Sequence, residues 1–475
     1  VEDAAQAAKI EAIRGDCPDL EHVWSFADVP GVTTADELAA SGSGIDVAVL
    51  DERLGHVGPE DIATIVYTSG TTGLPKGCML SHRAFRATVD MYEQQVDLSP
   101  PAVVYLFLPL AHALARVASW VVLHQGATIA YWRGDVAKLV DDLAEVKPTH
   151  FPSVPRVFEK INTKAVAAAT DGGSIKKALF DWAVATGRRA RAARRAGTLS
   201  SGLRLQHEIA DRLVLSKVRG LFGGHLKLGL VGAAPIGREV LEFFDACGLV
   251  VLEGFGLTET CAAATLNTVG AFRFGTVGRA LPGTEVAISD DGEVLLRGAN
   301  VFSGYYRNEE ATQETFRDGW FLTGDLGELE DGYLRITGRR KDLIITSSGK
   351  NVTPTLIESA LRETRWISQA LVYGDRHSYL VALLTLDAEE APALAEHLGI
   401  PFDVPAMAQD PRVHEALRES VDEVNERFAR IEQVKRFGIL DHDLTQGGGA
   451  LTPTLKVKRD VVYSRYRDEF EKLYA

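Results

Sequence analysis

The sequence predicts an α/β protein. A large N-terminal domain of mixed β-sheets flanked by helices, with a small β-rich subdomain, precedes a small α+β C-terminal domain. Three observations lead there. Short, continuous, β-branched apolar runs alternate with helical patterns over most of the first 300 residues, the pattern of strands buried on both faces of a sheet. From about Gly275 the texture changes to hairpins with Asp-Gly turns. Residues 355–475 then form a shorter mixture of helix and strand.

In chain order, IDVAVLD, DIATIVYTSG, VVYLFLPLA, GATIAYW, LKLGLVGAA and GLVVLEGFG are the apolar runs that read as strands, several ending in Gly or Ser. Ligand loops in such folds lie at the carboxyl ends of strands. The loops after DIATIVY, LKLGLV and VVLEGFG are therefore the first places to look for a site. GTEVAIS, DDGEVLLRG and GYLRITGR predict hairpins. Arg339–Lys341, between Gly338 and Asp342, is a candidate linker, which divides the chain into domains 1–338 and 339–475. In the second, a helix is expected over 355–364, strands at QALVYGD and YLVALLTL, and a helix over 412–429. Residues 176–195 carry seven basic residues against one acidic one, Asp181. Such a run is a solvated helix face or a contact for phosphate or an anionic membrane.

The 51 Lys and Arg against 65 Asp and Glu give a net charge of −14. That argues against nucleic acid as a partner, which needs a basic face. Local cations for a phosphorylated ligand are still allowed. With 46% hydrophobic and 24% charged residues, the chain is an ordinary globular one. The first twenty residues contain no apolar signal segment. The charge-free apolar stretch Val117–Trp132 is shorter than the roughly 18–20 residues of a membrane span. Four cysteines without CxxC spacing predict free thiols in a reducing, cytoplasmic setting.

The segment with most chemistry is Tyr67-Thr68-Ser69-Gly70-Thr71-Thr72-Gly73-Leu74-Pro75-Lys76-Gly77. Hydroxyls, glycines and a lysine follow a buried strand. Small residues let backbone N–H groups approach phosphate oxygens, hydroxyls donate to them, and Lys adds a charge. It is not a Walker loop, because Pro75 stands where a second Gly belongs and Gly77 follows the lysine. Gly254-Phe255-Gly256-Leu257-Thr258-Glu259 is a second candidate: Thr258 offers a hydroxyl to phosphate and Glu259 a carboxylate to Mg²⁺, a cation preferring oxygen ligands. Gly232-Ala233-Ala234 ends another strand, where small residues allow a flat base to approach.

Taken in order, these segments resemble the signatures of the adenylate-forming superfamily of acyl-CoA synthetases, luciferase and peptide-synthetase adenylation domains. Gly319–Asp325, Gly338–Asp342 and Leu451–Lys456 resemble its later motifs. The resemblance implies activation of a carboxylate by ATP with Mg²⁺, release of pyrophosphate, and transfer of the acyl group to CoA. It implies that Thr68, Ser69, Gly70, Thr71, Thr72, Gly73 and Lys76 hold phosphate. It places Gly232, Ala233, Ala234, Gly254, Phe255 and Gly256 on the adenine side, with Phe255 where most members have Tyr. Asp325 then binds ribose, Arg339 reaches ribose or phosphate, and Lys341 is the hinge of a mobile small domain. Lys456 is the catalytic cation, with Thr258 and Glu259 beside it; preorganised donors of this kind are worth about 2.7–4 kcal/mol. Gly349, in Ser347–Asn351, lines the pantetheine channel. Ala450 stands where long-chain members carry an acid.

LPLAH at 108–112, THFPSVPRVF at 149–158 and EQVKRF at 432–437 resemble the long-chain fatty acyl-CoA synthetase branch, which implies a fatty acid substrate and places His112 and His150 near the acyl entrance. The first nucleotide motif lies early relative to that branch, so the resemblance implies that part of the large domain is missing before Val1. Two other outcomes fit these residues: an acyl-AMP ligase loading a carrier protein, and a nucleotide- or acyl-binding module without full activity.

Overall fold

A computed structural model describes residues 1–68, 75–135, 138–445, 447–452 and 457–475. Ser69, Gly70, Thr71, Thr72, Gly73 and Lys456 lie outside the described residues. Two compact units are present, residues 1–61 and 62–475.

The first unit holds helices Ala4–Ile13, Ala35–Ser41 and Val47–Gly55, with short parallel strands Trp24–Ser25 and Thr33–Thr34. The IDVAVLD run is helical, not a strand. The Asp46 side chain accepts from the Ala48 N–H and caps the helix Val47–Gly55, which commits the apolar residues after it to a helical turn.

The second unit is built on a long mixed sheet. Strands Thr128–Tyr131, Val103–Leu106, His150–Ser153, Leu228–Val231 and Val251–Phe255 lie side by side and parallel. The sheet continues antiparallel through Thr265–Leu266, Arg279–Ala280, Tyr333–Arg339, Trp320–Glu330, Glu293–Gly298 and Thr284–Ile288. The central parallel strands have helices on their faces, which accounts for their apolar runs. On one side Phe151, Phe158, Phe222 and Phe244 are fully buried. Their ring centroids lie 5.6 Å apart for Phe151–Phe158 and 5.8 Å for Phe222–Phe244. Each buried ring contributes about 1.5–3 kcal/mol by area alone.

A separate three-stranded sheet matters most for the site. Ile62–Thr68 and Lys76–Ser81 form an antiparallel hairpin, and Gly304–Tyr305 adds to its second strand with Tyr305 opposite Cys78. The C-terminal part carries the strands Ile367–Tyr373, Leu380–Leu386 and Val434–Ile439, with helices Pro354–Arg362 and Pro411–Asn425. It docks through ion pairs on helix Pro155–Thr170. Arg156 donates to Asp387 at 3.0 Å and to Ser368 at 3.3 Å, and Lys160 and Lys164 reach Glu389 at 2.7 and 2.8 Å. Arg365 forks onto Asp171 at 2.9 and 3.0 Å.

Helix Ser174–Arg195 contains the basic run. Part of its charge is internal, because Arg191 and Arg195 pair with the buried Asp245 at 3.0 and 2.8 Å. All four cysteines are free thiols. Among the described residues, no helix is long and apolar enough to cross a membrane.

Candidate active site

Strand Val251–Phe255 runs into a tight turn whose short 3₁₀ segment is Thr258–Thr260. Gly256 is required there by space. A Cβ on it would lie 2.5 Å from the Ala262 carbonyl oxygen and 2.6 Å from the Ala263 nitrogen, both backbone atoms. The turn is clamped from outside. Phe302 N–H donates to the Glu259 carbonyl at 2.7 Å, and the fully buried Asn300 amide donates to the Ala263 carbonyl. The Glu259 side chain is thereby presented to the hairpin 62–81.

There the Tyr305 hydroxyl donates to Glu259 Oε1 at 2.8 Å. Lys76 Nζ lies over the Tyr305 ring, 5.0 Å from its centroid. The Thr68 hydroxyl donates to the Lys76 carbonyl at 3.3 Å. Beneath them Cys78 is fully buried, and burial followed by the Glu259 charge pushes its thiol well above the usual range. Burial and then Glu259 likewise push the Tyr305 hydroxyl up, so it remains a donor, while Arg339 acts in the opposite direction. Arg339 sits opposite Asp325 in the strand pair and its Nε lies 3.3 Å from Asp325 Oδ1. Next along the chain, desolvation and then Arg339 lower the Lys341 ammonium, against Asp342, Asp325 and Asp460.

The neighbouring parallel strand ends at Val231 and leads into Gly232-Ala233-Ala234. A Cβ on Gly232 would stand 3.5 Å from the Gly254 carbonyl, so the two loops adjoin. Ala233 takes a left-handed φ of 71°, a conformation that costs a residue with Cβ about 1–2 kcal/mol. Under this edge lies Glu253, whose Oε2 is buried without a hydrogen-bond partner among the described residues. Burial pushes its carboxyl up to about 8, opposed by the Ile236 N–H.

The sequence matches the AMP-binding enzyme family over residues 1–306 and that family's C-terminal domain over residues 341–475. The chain belongs to the AMP-binding enzymes. It is 38% identical over 489 residues to the long-chain-fatty-acid–CoA ligase FadD15 of Mycobacterium bovis, covering 99% of this chain and 78% of that one. It is 33% identical over 514 residues to the long-chain-fatty-acid–CoA ligase ACSBG2 of Xenopus laevis, covering 100% of this chain and 69% of that one. Among solved structures it is similar to the ATP-bound RpMatB-BxBclM chimera B1, with a TM-score of 0.65, 27% identity, and coverage of 98% and 79%. The adenylation domain of a carboxylate reductase from Mycobacterium chelonae shares the fold, with a TM-score of 0.72, 20% identity, and coverage of 98% and 71%.

In this AMP-binding enzyme the structure brings together Thr68, Lys76, Gly254, Phe255, Gly256, Thr258, Glu259, Asp325, Arg339 and Lys341, with Gly232, Ala233 and Ala234 on the adjoining loop. His112 follows the strand Val103–Leu106 and precedes helix Ala113–His124, at the same edge of the parallel strands. Arg116 secures that loop by donating to the Leu110 carbonyl at 3.2 Å and to the Thr64 hydroxyl of the hairpin.

His150 is placed elsewhere. It begins its strand, opposite Leu228 rather than Val231, so it sits at the far edge from the loops. Its ring is buried and 2.9 Å from the Thr149 hydroxyl, and burial pushes it down to about 4. It is a packed, neutral histidine. Gly349 lies in the turn between Ile344–Ile345 and Asn351–Val352, where its N–H donates to the Thr346 carbonyl. Tyr305, Cys78 and Glu253 were not among the expected site residues. The Gly304-Tyr305-Tyr306 run was the one available hint of Tyr305.

Proposed function

We propose that this chain activates a long-chain fatty acid with ATP and passes the acyl group to CoA. The observation that carries the proposal is the convergence of Lys76, Glu259, Asp325 and Arg339 around the ends of two strands, in a chain whose relatives are named long-chain-fatty-acid–CoA ligases. In the first step a fatty carboxylate oxygen attacks the α-phosphorus of ATP; the bond to pyrophosphate breaks, leaving acyl-AMP. In the second the CoA sulfur, having lost its proton, attacks the acyl carbon and AMP leaves.

Both reactants of the first step are anions, so the site must screen charge and align them. Lys76, Thr68 and the loop 69–74 supply cation, hydroxyls and backbone N–H groups to phosphate. Phe255 and the small residues Gly232–Ala234 give adenine a flat approach. The Asp325 carboxylate accepts from ribose hydroxyls, steadied by Arg339. Glu259 offers a hard oxygen with one lobe already fixed by Tyr305, a donor set that suits Mg²⁺. Bound there, Mg²⁺ supplies charge neutralisation at the phosphates. Lys456 contacts carboxylate and α-phosphate as charge develops. Rotation at Lys341 then brings the Gly349 turn toward the pantetheine arm, and His112 borders the acyl entrance.

Incubation with palmitate, ATP, Mg²⁺ and CoA should yield AMP, pyrophosphate and palmitoyl-CoA. Absence of AMP would refute the proposal, and acyl-AMP release indifferent to CoA would instead favour loading of a carrier protein.

A second reading concerns where the enzyme works. Helix Ser174–Arg195 exposes Ile175, Leu179 and Trp182 at helical spacing, with exposed Lys176, Lys177 and Arg188 on the same helix. Cations interleaved with apolar residues suit an anionic bilayer surface. Vesicles containing phosphatidylglycerol should sediment the protein, and Arg188→Glu with Trp182→Ser should weaken this. Equal binding to neutral vesicles would refute it.

A further inference from the structure

We propose that Tyr305 is a positioning residue that couples the cation of the phosphate loop to the metal-binding carboxylate, its hydroxyl fixing Glu259 and its ring seating Lys76. This rests on the assignment of Glu259 to Mg²⁺ made above. The geometry is specific at both ends of the side chain. The hydroxyl is 2.8 Å from Glu259 Oε1, and the same carboxylate neighbours the buried Cys78 thiol. One oxygen of the carboxylate is thus held by the Tyr305 hydroxyl. The ring face lies 5.0 Å from Lys76 Nζ, an attraction between ammonium and aromatic quadrupole that fixes the lysine without neutralising it.

Tyr305 is itself immobilised. It is 8% exposed. Its backbone pairs with Cys78, its N–H donates to Thr312 Oγ1 at 2.9 Å, and its ring meets Phe302 edge-on at 4.9 Å. The flanking backbone extends the clamp, since Tyr306 N–H donates to the Gly77 carbonyl at 2.8 Å. A buried tyrosine often finds a hydrogen-bond partner simply to satisfy its hydroxyl. Tyr305 differs in that its hydroxyl and its ring meet the two groups of opposite charge that must address one triphosphate, Glu259 and Lys76, which lie 183 residues apart in sequence.

The test uses the full chain and the non-cleavable probe α,β-methylene-ATP, with binding followed by calorimetry across a Mg²⁺ titration. Tyr305→Phe retains the ring and loses the hydroxyl. The Mg²⁺ concentration for half-maximal binding should rise about 10–100-fold, the usual cost of losing an outer-shell partner of a metal ligand. Affinity without Mg²⁺ and the melting temperature should stay as in the parent. Tyr305→Leu, which also removes the ring under Lys76, should in addition weaken Mg²⁺-free binding. An unchanged Mg²⁺ requirement in Tyr305→Phe overturns the proposal. So does a parallel fall of Mg²⁺-free affinity and melting temperature in that variant, the mark of a packing role. If the parent binds the probe without any Mg²⁺ dependence, the assignment of Glu259 falls first and takes Tyr305 with it, an outcome seen in the parent alone.

Discussion

Replacing Glu253 by Gln should remove a loss of stability that grows with pH. Burial raises this carboxyl from an ordinary 4.5 to about 8, with the Ile236 N–H pulling it down. Between those values the unfolded chain has released the proton and the folded chain retains it. Stability therefore falls as pH rises through that window and levels off above about pH 8. At 1.36 kcal/mol for each pH unit, burial of this group costs about 2 kcal/mol by about pH 6 and about 5 kcal/mol by about pH 9. Gln reproduces the neutral side chain: its carbonyl can accept from Ile236, and it cannot ionise. The advantage of Glu253→Gln over the parent should then widen by about 3 kcal/mol between about pH 6 and pH 9. Urea unfolding of both proteins across that range measures the gap. A constant gap would refute burial as the cause, and a gap that narrows with rising pH would reverse the sign.

Gly256→Ala should force the Glu259 turn outward, because the new methyl meets backbone rather than a yielding side chain. Overpacking of this kind costs about 1–3 kcal/mol, and adenylation should fall by more than the shift in melting temperature implies; wild-type rates would contradict this. Lys456→Ala should block acyl-AMP formation yet largely spare thioester formation from supplied acyl-AMP, whereas Lys341→Pro, with φ fixed at the proposed hinge, should impair the second step. Equal loss of both steps in either variant would count against its role. Arg156→Ala leaves Asp387, a mostly buried carboxylate, without its guanidinium. It should loosen the C-terminal part and raise protease sensitivity around Arg340–Asp342, and unchanged cleavage kinetics would show that the pair does not hold the two together.

The parallel strands at 228–231 and 251–255 were legible because burial on both faces leaves continuous β-branched runs. The same signal failed at IDVAVLD, since a short apolar run does not separate strand from helix and the Asp46 cap decides the outcome. The run after Thr68 and the Glu259, Asp325 and Arg339 positions stood out as candidates because each belongs to a local cluster of unusual residue types. Tyr305 could not, because its partners are distant in sequence and its neighbours are ordinary aromatics. His150 was misplaced for a different reason. Residue type suggested a site, but the direction of its strand, which only pairing reveals, puts it at the opposite edge.

The pairing of Tyr305 with Cys78 also has a consequence during synthesis. The strand Lys76–Ser81 gains its partner on one side immediately, from the hairpin, but its other edge stays open until residues 304–305 have been made. At about 5–20 residues per second that delay is roughly 10–45 s on the ribosome. During it an apolar edge with Cys78 and Leu80 is available to any other strand. Fragments that stop short of Gly304 should accordingly aggregate where the whole chain does not, and assembly of the sheet that carries Lys76 and Tyr305 becomes a late event in the life of the nascent chain.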